Sequence, residues 1–213
     1  MESTGGTWHA EVLSPAAVEA TKHLGAMESL RSFYLAGGTG LALRLGHRRS
    51  ADLDFFSQQS FDEEALLTSL LPLKNLSIIA RAKQTLHLHL FDTKVSFLGY
   101  NYPVLFPFES FQNLAVADVL DIACMKLSAL ASRGTRRDFV DLYVIVQKHG
   151  LAPLLEQFER KFARINYNKV HILKSLVFFA DAEKEPMPDM LLPVSWEALR
   201  SYFQQEVLNI SAT

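Results

Sequence analysis

Residues 33–56 read FYLAGGTGLALRLGHRRSADLDFF, and this stretch constrains the fold more than any other. Phe33 to Ala36 form an apolar run suited to a buried strand, and the run ends in Gly37-Gly38. A glycine pair after a strand permits a tight turn and a close approach of the backbone to another group. Thr39 to Leu45 then carry Leu41 and Leu45 at helical spacing, which predicts a short helix. Asp52-Leu53-Asp54-Phe55 alternates carboxylates with apolar residues. Alternate side chains of a strand share a face, so Asp52 and Asp54 point to one side while Leu53 and Phe55 point to the core. Two neighbouring carboxylates repel unless a cation lies between them, which makes the pair a candidate divalent-metal site.

The same stretch holds groups that attract anions. A helix starting at the glycines aims free N–H groups outward, and Thr39 adds a hydroxyl. Arg44, His47, Arg48 and Arg49 make a local basic cluster in a chain whose formal net charge is −2. That balance excludes a globally basic nucleic-acid binder but leaves room for a basic pocket. Taken singly, the glycines read as a plain strand-to-helix turn, the aspartates as a solvated edge strand and the arginines as a solvated loop. Together they describe a site where N–H groups and cations hold a triphosphate and carboxylates hold Mg²⁺ against it.

The rest of the chain supplies a scaffold. With 213 residues and 49% hydrophobic content, the protein has enough apolar surface for one large or two small domains. Residues Met1 to Thr7 read as a small, polar tail. Ser14-Pro15 starts a helix expected to run to about Leu30, and Phe61 to Leu71 another, capped by Asp62. Leu76–Ala80, Leu86–Leu90 and Lys94–Leu98 read as strands of a meander, with His87 and His89 on one face. These two imidazoles lack a nearby third ligand and read as sheet-surface residues. The Pro- and Phe-rich stretch Tyr100–Asn113 reads as a connector leaving the sheet, its Phe106, Phe108 and Phe111 apolar rather than base-stacking. Helices are expected over Val116–Ala131 and Thr135–His149, and three more near Ala152–Ala163, Asn168–Phe179 and Trp196–Leu208. The expected architecture is α+β: a mixed sheet with helices over residues 1–113, then a helical half over residues 114–213.

The single cysteine, Cys124, rules out a disulfide framework and reads as a small core residue. No apolar run reaches transmembrane length and no basic-then-apolar leader is visible, so a cytoplasmic location without membrane association is the expectation. Lys126 is the sole cation in Val119–Ala131. A buried ammonium requires an anion, such as the carboxylate of Asp138 or Asp141. Arg137 and Asp141 stand four apart on the next helix and are able to pair.

Ala36-Gly37-Gly38, thirteen residues, then Asp52-Leu53-Asp54-Phe55 resembles the signature of DNA polymerase β-like nucleotidyltransferases. The finer pattern LAGGTGLALRLGHRRSADLDFF resembles the AbiEii/AbiGii toxin group within that superfamily. Asp121-Ile122-Ala123-Cys124-Met125-Lys126-Leu127, followed by Arg137-Asp138-Phe139-Val140-Asp141-Leu142, is similar to the group's downstream motifs. The resemblance covers roughly residues 33–150. It implies a polymerase β-like nucleotidyltransferase core and transfer of a nucleoside monophosphate from an NTP to a hydroxyl, with Mg²⁺ or Mn²⁺ as cofactor. It further implies a toxin of a toxin–antitoxin or abortive-infection system, with tRNA as acceptor and a cognate antitoxin as partner. By the resemblance, Asp52 and Asp54 are catalytic and hold the metal, and Lys126 and Asp138 are catalytic. Gly37, Gly38, Thr39, Arg44, Arg49, Lys126, Arg137 and Asp141 then bind the nucleotide. The superfamily's third carboxylate, on a later strand, is replaced here by Ser96, with Asp92 near the turn and Asp138 as possible substitutes. That departure keeps two alternatives open: an antibiotic-modifying nucleotidyltransferase, and a nucleotide- or partner-binding member without turnover.

Overall fold

A computed structural model describes residues 7–165 and 167–212, so all but the last residue of the expected N-terminal tail lies outside the described residues. The described chain falls into two compact units, Met1–Asp118 and Val119–Thr213.

The first unit opens with α1 (Pro15–Gly25), where Ser14 Oγ caps the helix by accepting from the Ala17 amide at 3.1 Å. The helix stops five residues short of the expected end at Leu30, and Glu28–Leu30 form a separate 3-10 turn. Gly25 abuts the Gln112 carbonyl, 1.9 Å from where a Cβ would stand, so this helix end admits no side chain. Next come β1 (Tyr34–Ala36), α2 (Gly37–Leu45), β2 (Leu53–Ser57) and α3 (Glu63–Leu70), the last capped by Asp62. The meander follows as β3 (Leu76–Ala82), β4 (Thr85–Leu90) and β5 (Thr93–Gly99).

A hairpin, β6 (Glu109–Phe111) and β7 (Leu114–Val116), stands where a connector was expected. Its turn residues Gln112 and Asn113 both have positive φ. Gln-Asn lacks the glycine that normally marks such a turn, which hid the hairpin in the sequence. Strand β7 pairs in parallel with β1, so the chain does not leave the sheet at residue 100. The seven strands lie in the order β3-β4-β5-β2-β1-β7-β6, with β1 antiparallel to β2 and β2 parallel to β5. Leu35, Leu53, Phe55, Leu88, Val95 and Phe97 share the core face with apolar residues of α1 and α3. Asp54, Ser96 and His87 occupy the opposite face, in one row across β2, β5 and β4.

The second unit comprises α4 (Val119–Ser132), α5 (Arg136–His149), α6 (Leu151–Lys161), α7 (Lys169–Ser175) and α8 (Trp196–Ser211). Phe139 on α5 forms its aromatic centre, with ring centroids of Phe179, Trp196 and Phe203 at 5.0, 5.9 and 6.1 Å. Lys161 on α6 is buried and pairs with buried Asp121 on α4 at 2.7 Å. Cys124, one turn along α4, is buried; burial pushes its thiol up to about 12, with the Lys161 charge acting in the opposite sense. None of the described helices is long and apolar enough to cross a membrane.

Removing one partner of a buried ion pair leaves an unpaired charge in a dry site. Lys161→Ala is therefore expected to destabilise the second unit by about 3–5 kcal/mol. Urea unfolding checks this, and a loss below about 1 kcal/mol would show that water reaches Asp121.

Candidate active site

Strand β1 runs directly into α2 at Gly37-Gly38. Gly37 has φ +62°, a left-handed conformation that strains any residue with a Cβ. A Cβ there would also stand 2.9 Å from Asp54 Oδ2. At Gly38 it would stand 2.5 Å from Arg48 Nη2. The backbone thus comes close to a carboxylate at Gly37 and to a guanidinium at Gly38. The N-cap of α2 is Ala36, whose methyl group makes no cap hydrogen bond, and the first turn carries the positive end of the helix dipole.

Asp52 immediately precedes β2, and burial alternates through the segment: Asp52, Asp54 and Phe56 are half-buried, while Leu53, Phe55 and Ser57 are buried. The expected sharing of a face by the two aspartates follows from this alternation. Thr39 is buried, and its Oγ1 donates to the Asp52 carbonyl and shares a hydrogen bond with Ser50 Oγ at 2.7 Å. Its hydroxyl thus fastens α2 to the start of β2 and sets the position of Asp52.

The arginines part company. Arg48, which the sequence reading left in the general basic cluster, is the one against Gly38; it is buried and donates from Nη1 to the Arg49 carbonyl at 3.0 Å. Arg44 instead pairs with Glu109 at 2.5 Å and Asp118 at 3.4 Å, its guanidinium 5.1 Å from the centre of the Trp8 ring. Arg49 is exposed and donates to the Glu11 carbonyl at 3.2 Å. Arg48 lies in the loop between α2 and β2, and the path of that loop decides which of three nearby arginines returns to the glycines.

Ser96 pairs in register with Asp54, the neighbouring-strand position where a third carboxylate was sought. Its Oγ is 3.0 Å from His87 Nδ1. His89 is exposed on the same strand as His87. Among the described residues no group of three or more His, Cys, Asp or Glu side chains is placed to hold a metal. Two carboxylates still fit Mg²⁺, which commonly takes one or two protein carboxylates and completes its shell with substrate phosphates and water.

The second unit holds its own charged cluster. Lys126 Nζ pairs with Asp138 Oδ1 at 2.7 Å and with Asp141 Oδ2 at 2.6 Å, and all three are buried. Of the anions considered from sequence, the carboxylates are the ones seen beside this ammonium. Thr135, the N-cap of α5, donates to Asp138 Oδ2 at 2.6 Å, and Arg133 Nε approaches the same oxygen at 3.2 Å. Arg137 is exposed, while Asp141 faces Lys126. Burial alone would push the Lys126 ammonium down, but the Asp141 and Asp138 charges outweigh it and hold it above its ordinary value. Burial would raise the Asp138 carboxyl, and Lys126 with its hydrogen bonds overcomes that and holds it low.

The mixed sheet thus sets an acidic strand beside a strand that runs through two glycines into a helix. A model of the family described as nucleotidyl transferase AbiEii toxin, type IV toxin–antitoxin system, matches residues 23–86 and 94–209, and the chain belongs to that family of toxin nucleotidyltransferases. It is 36% identical over 195 residues to the uncharacterized protein aq_aa25 of Aquifex aeolicus (strain VF5), covering 89% of this chain and 93% of that one. Its fold is similar to MenT4, a nucleotidyltransferase toxin of Mycobacterium tuberculosis, with TM-score 0.58 and 17% identity over 94% of this chain and 86% of that one. It is also similar to a Helicobacter pylori protein provisionally described as a nucleotidyltransferase, with TM-score 0.50 and 17% identity over 92% and 95% of the two chains.

The Lys126 cluster gives stability a definite pH dependence. Asp138 has a depressed folded pKa, so its contribution is present above the unfolded value near ~3.9 and is lost as pH falls through the folded value. Lys126 has a raised folded pKa, so its contribution is full below about 10.4 and is lost as pH rises through the folded value. Denaturant midpoints measured from pH 7 down to 2 are expected to fall below about pH 4. Asp138→Asn should flatten that fall and lower the midpoint at neutral pH; an unchanged acid limb would contradict the assignment.

Proposed function

We propose that the chain transfers a nucleoside monophosphate from an NTP to a hydroxyl of RNA, with tRNA as the expected acceptor, and acts as a cytoplasmic toxin restrained by a cognate antitoxin. The observation that carries this reading is the contact of Gly37 and Gly38 with Asp54 and Arg48 at the open start of α2. Family membership supports the reaction class and the toxin role.

In this reading the first-turn amides of α2 and the Arg48 guanidinium receive the β- and γ-phosphates. Asp52 and Asp54 hold Mg²⁺ (or Mn²⁺), which supplies charge neutralisation at the phosphates. The backbone at Gly37 and Gly38 comes close enough to fix the triphosphate relative to Asp54. The acceptor hydroxyl gives its proton to water as its oxygen bonds to the α-phosphorus, and the bond to the bridging oxygen breaks to release pyrophosphate. Positioning and charge stabilisation supply most of the rate in phosphoryl chemistry, which suits a site without a nucleophile of its own. Thr39 serves as a positioning residue for Asp52. The motif holding Lys126, Asp138 and Asp141 supports a role for them in the reaction, and loss of label with Lys126→Arg in the assay below tests it.

A second reading is a nucleotide-binding member without turnover, favoured by Ser96 in place of a carboxylate beside Asp54. One experiment separates the two: purified protein with Mg²⁺, each α-labelled NTP in turn, and total RNA. The proposed function predicts label in a tRNA-sized band with at least one NTP. Asp52→Ala with Asp54→Ala should reduce that label by about a hundredfold or more. Binding of NTP without label in any product would favour the second reading, and label unaffected by the double substitution would place the chemistry elsewhere.

A further inference from the structure

An aromatic ladder lies on the same sheet face as Asp54. Tyr34 stands opposite Phe56 across β1 and β2, just as Ala36 stands opposite Asp54. The Tyr34 ring is 6.0 Å from Phe56 and 4.9 Å from Phe108, stacked on the latter at 27°. Phe56 meets Tyr100 edge-on at 5.5 Å, and Tyr100 meets Tyr102 at 4.8 Å. Of the phenylalanines in the connector, Phe111 is buried against Trp8 at 5.3 Å. Phe108 is different: one face rests on Tyr34, yet 41% of the residue remains exposed. An exposed phenylalanine already stacked on a second ring is a surface on which a further planar ring gains contact.

The position of the ladder selects its occupant. Strand β1 runs from Tyr34 through Ala36 into Gly37, so along the strands the order is glycine turn, Asp54, then the Tyr34–Phe56 pair. Phe56 lies two residues beyond Asp54, about 7 Å at strand rise. In an in-line displacement the leaving and attacking oxygens take opposite sides of the phosphorus. In the nucleotidyl-transfer reading above, the phosphates lie at the glycine turn, so the attacking hydroxyl approaches from the aromatic side.

We propose that Phe108, backed by Tyr34 and Phe56, is a stacking platform for the terminal unpaired base of the nucleic-acid acceptor. The platform selects single-stranded ends, because a base inside a duplex has no free face to offer. It rests on the nucleotidyl-transfer reading for its direction, but stacking itself requires no turnover.

The test uses a short single-stranded RNA with 2-aminopurine at its 3′ end, whose fluorescence falls on stacking. Wild-type protein is expected to quench it saturably. Phe108→Ala should weaken binding about tenfold, within the range for loss of one base–aromatic stack, and Phe108→Trp should retain it. In transfer assays Phe108→Ala should raise the KM for RNA by a similar factor and leave the KM for NTP unchanged. No quenching by wild type, equal affinity of wild type and Phe108→Ala, or a shift confined to the NTP KM would overturn the platform. Transfer that proceeds normally in Phe108→Ala sinks the platform and spares the proposed reaction. Quenching lost in Phe108→Ala, with no transfer by any protein, sinks the reaction and spares the platform. A thermal melt of Phe108→Ala matching wild type shows that the fold is intact.

Discussion

A Cβ at Gly37 would stand 2.9 Å from an Asp54 carboxylate oxygen, and one at Gly38 would stand 2.5 Å from an Arg48 guanidinium nitrogen. The absence of side chains at these two positions leaves room for the carboxylate and the guanidinium against the backbone. The sheet provides the setting. Antiparallel pairing of β1 with β2 sets Asp54 opposite Ala36, directly before the glycines. Leu35, Leu53 and Phe55 anchor the same strands from the other face, so Asp54 rides on buried strands. Thr39 adds the last constraint by fastening the helix to the residue before β2.

The second unit solves a different problem, that of holding charge inside a helical core. Lys126 lies between Asp138 and Asp141, and Lys161 meets Asp121. Each ion is costly to bury alone and tolerable in company. Such pairs specify helix positions strictly, because a helix that slips or rotates leaves a charge without its partner. Thr135 and Asp138 extend the same logic to the start of α5, where one carboxylate accepts from the cap hydroxyl and from the ammonium.

Strand–turn–helix order, alternation around Asp52 and Asp54, and the caps at Ser14 and Asp62 were legible in sequence because each is set by neighbours within a few residues. The family pattern was legible for the same reason, being confined to short segments. What escaped were outcomes decided over distance. The β6–β7 hairpin is held by pairing with β1 and carries no glycine at its turn. Which arginine meets the glycines depends on the path of the loop between α2 and β2. Arg44 is drawn away by Glu109 and Asp118, more than sixty positions further along the chain. Lys161 gave no signal at all, since its partner lies forty positions earlier on another helix. Lys126 needed an anion by simple solvation physics, and the carboxylates named in advance are its partners.

The central claim is that the glycine turn, Arg48 and the two aspartates form a nucleotide site. Calorimetric titration with a non-hydrolysable NTP and Mg²⁺ tests it directly, comparing wild type with Gly38→Ala. Wild type should bind saturably and only with the metal. Gly38→Ala, which displaces Arg48, should bind about tenfold or more weakly, the scale of one lost charge-assisted hydrogen bond, while still unfolding cooperatively. Absence of binding by wild type, or equal affinity in a folded Gly38→Ala protein, would contradict the account.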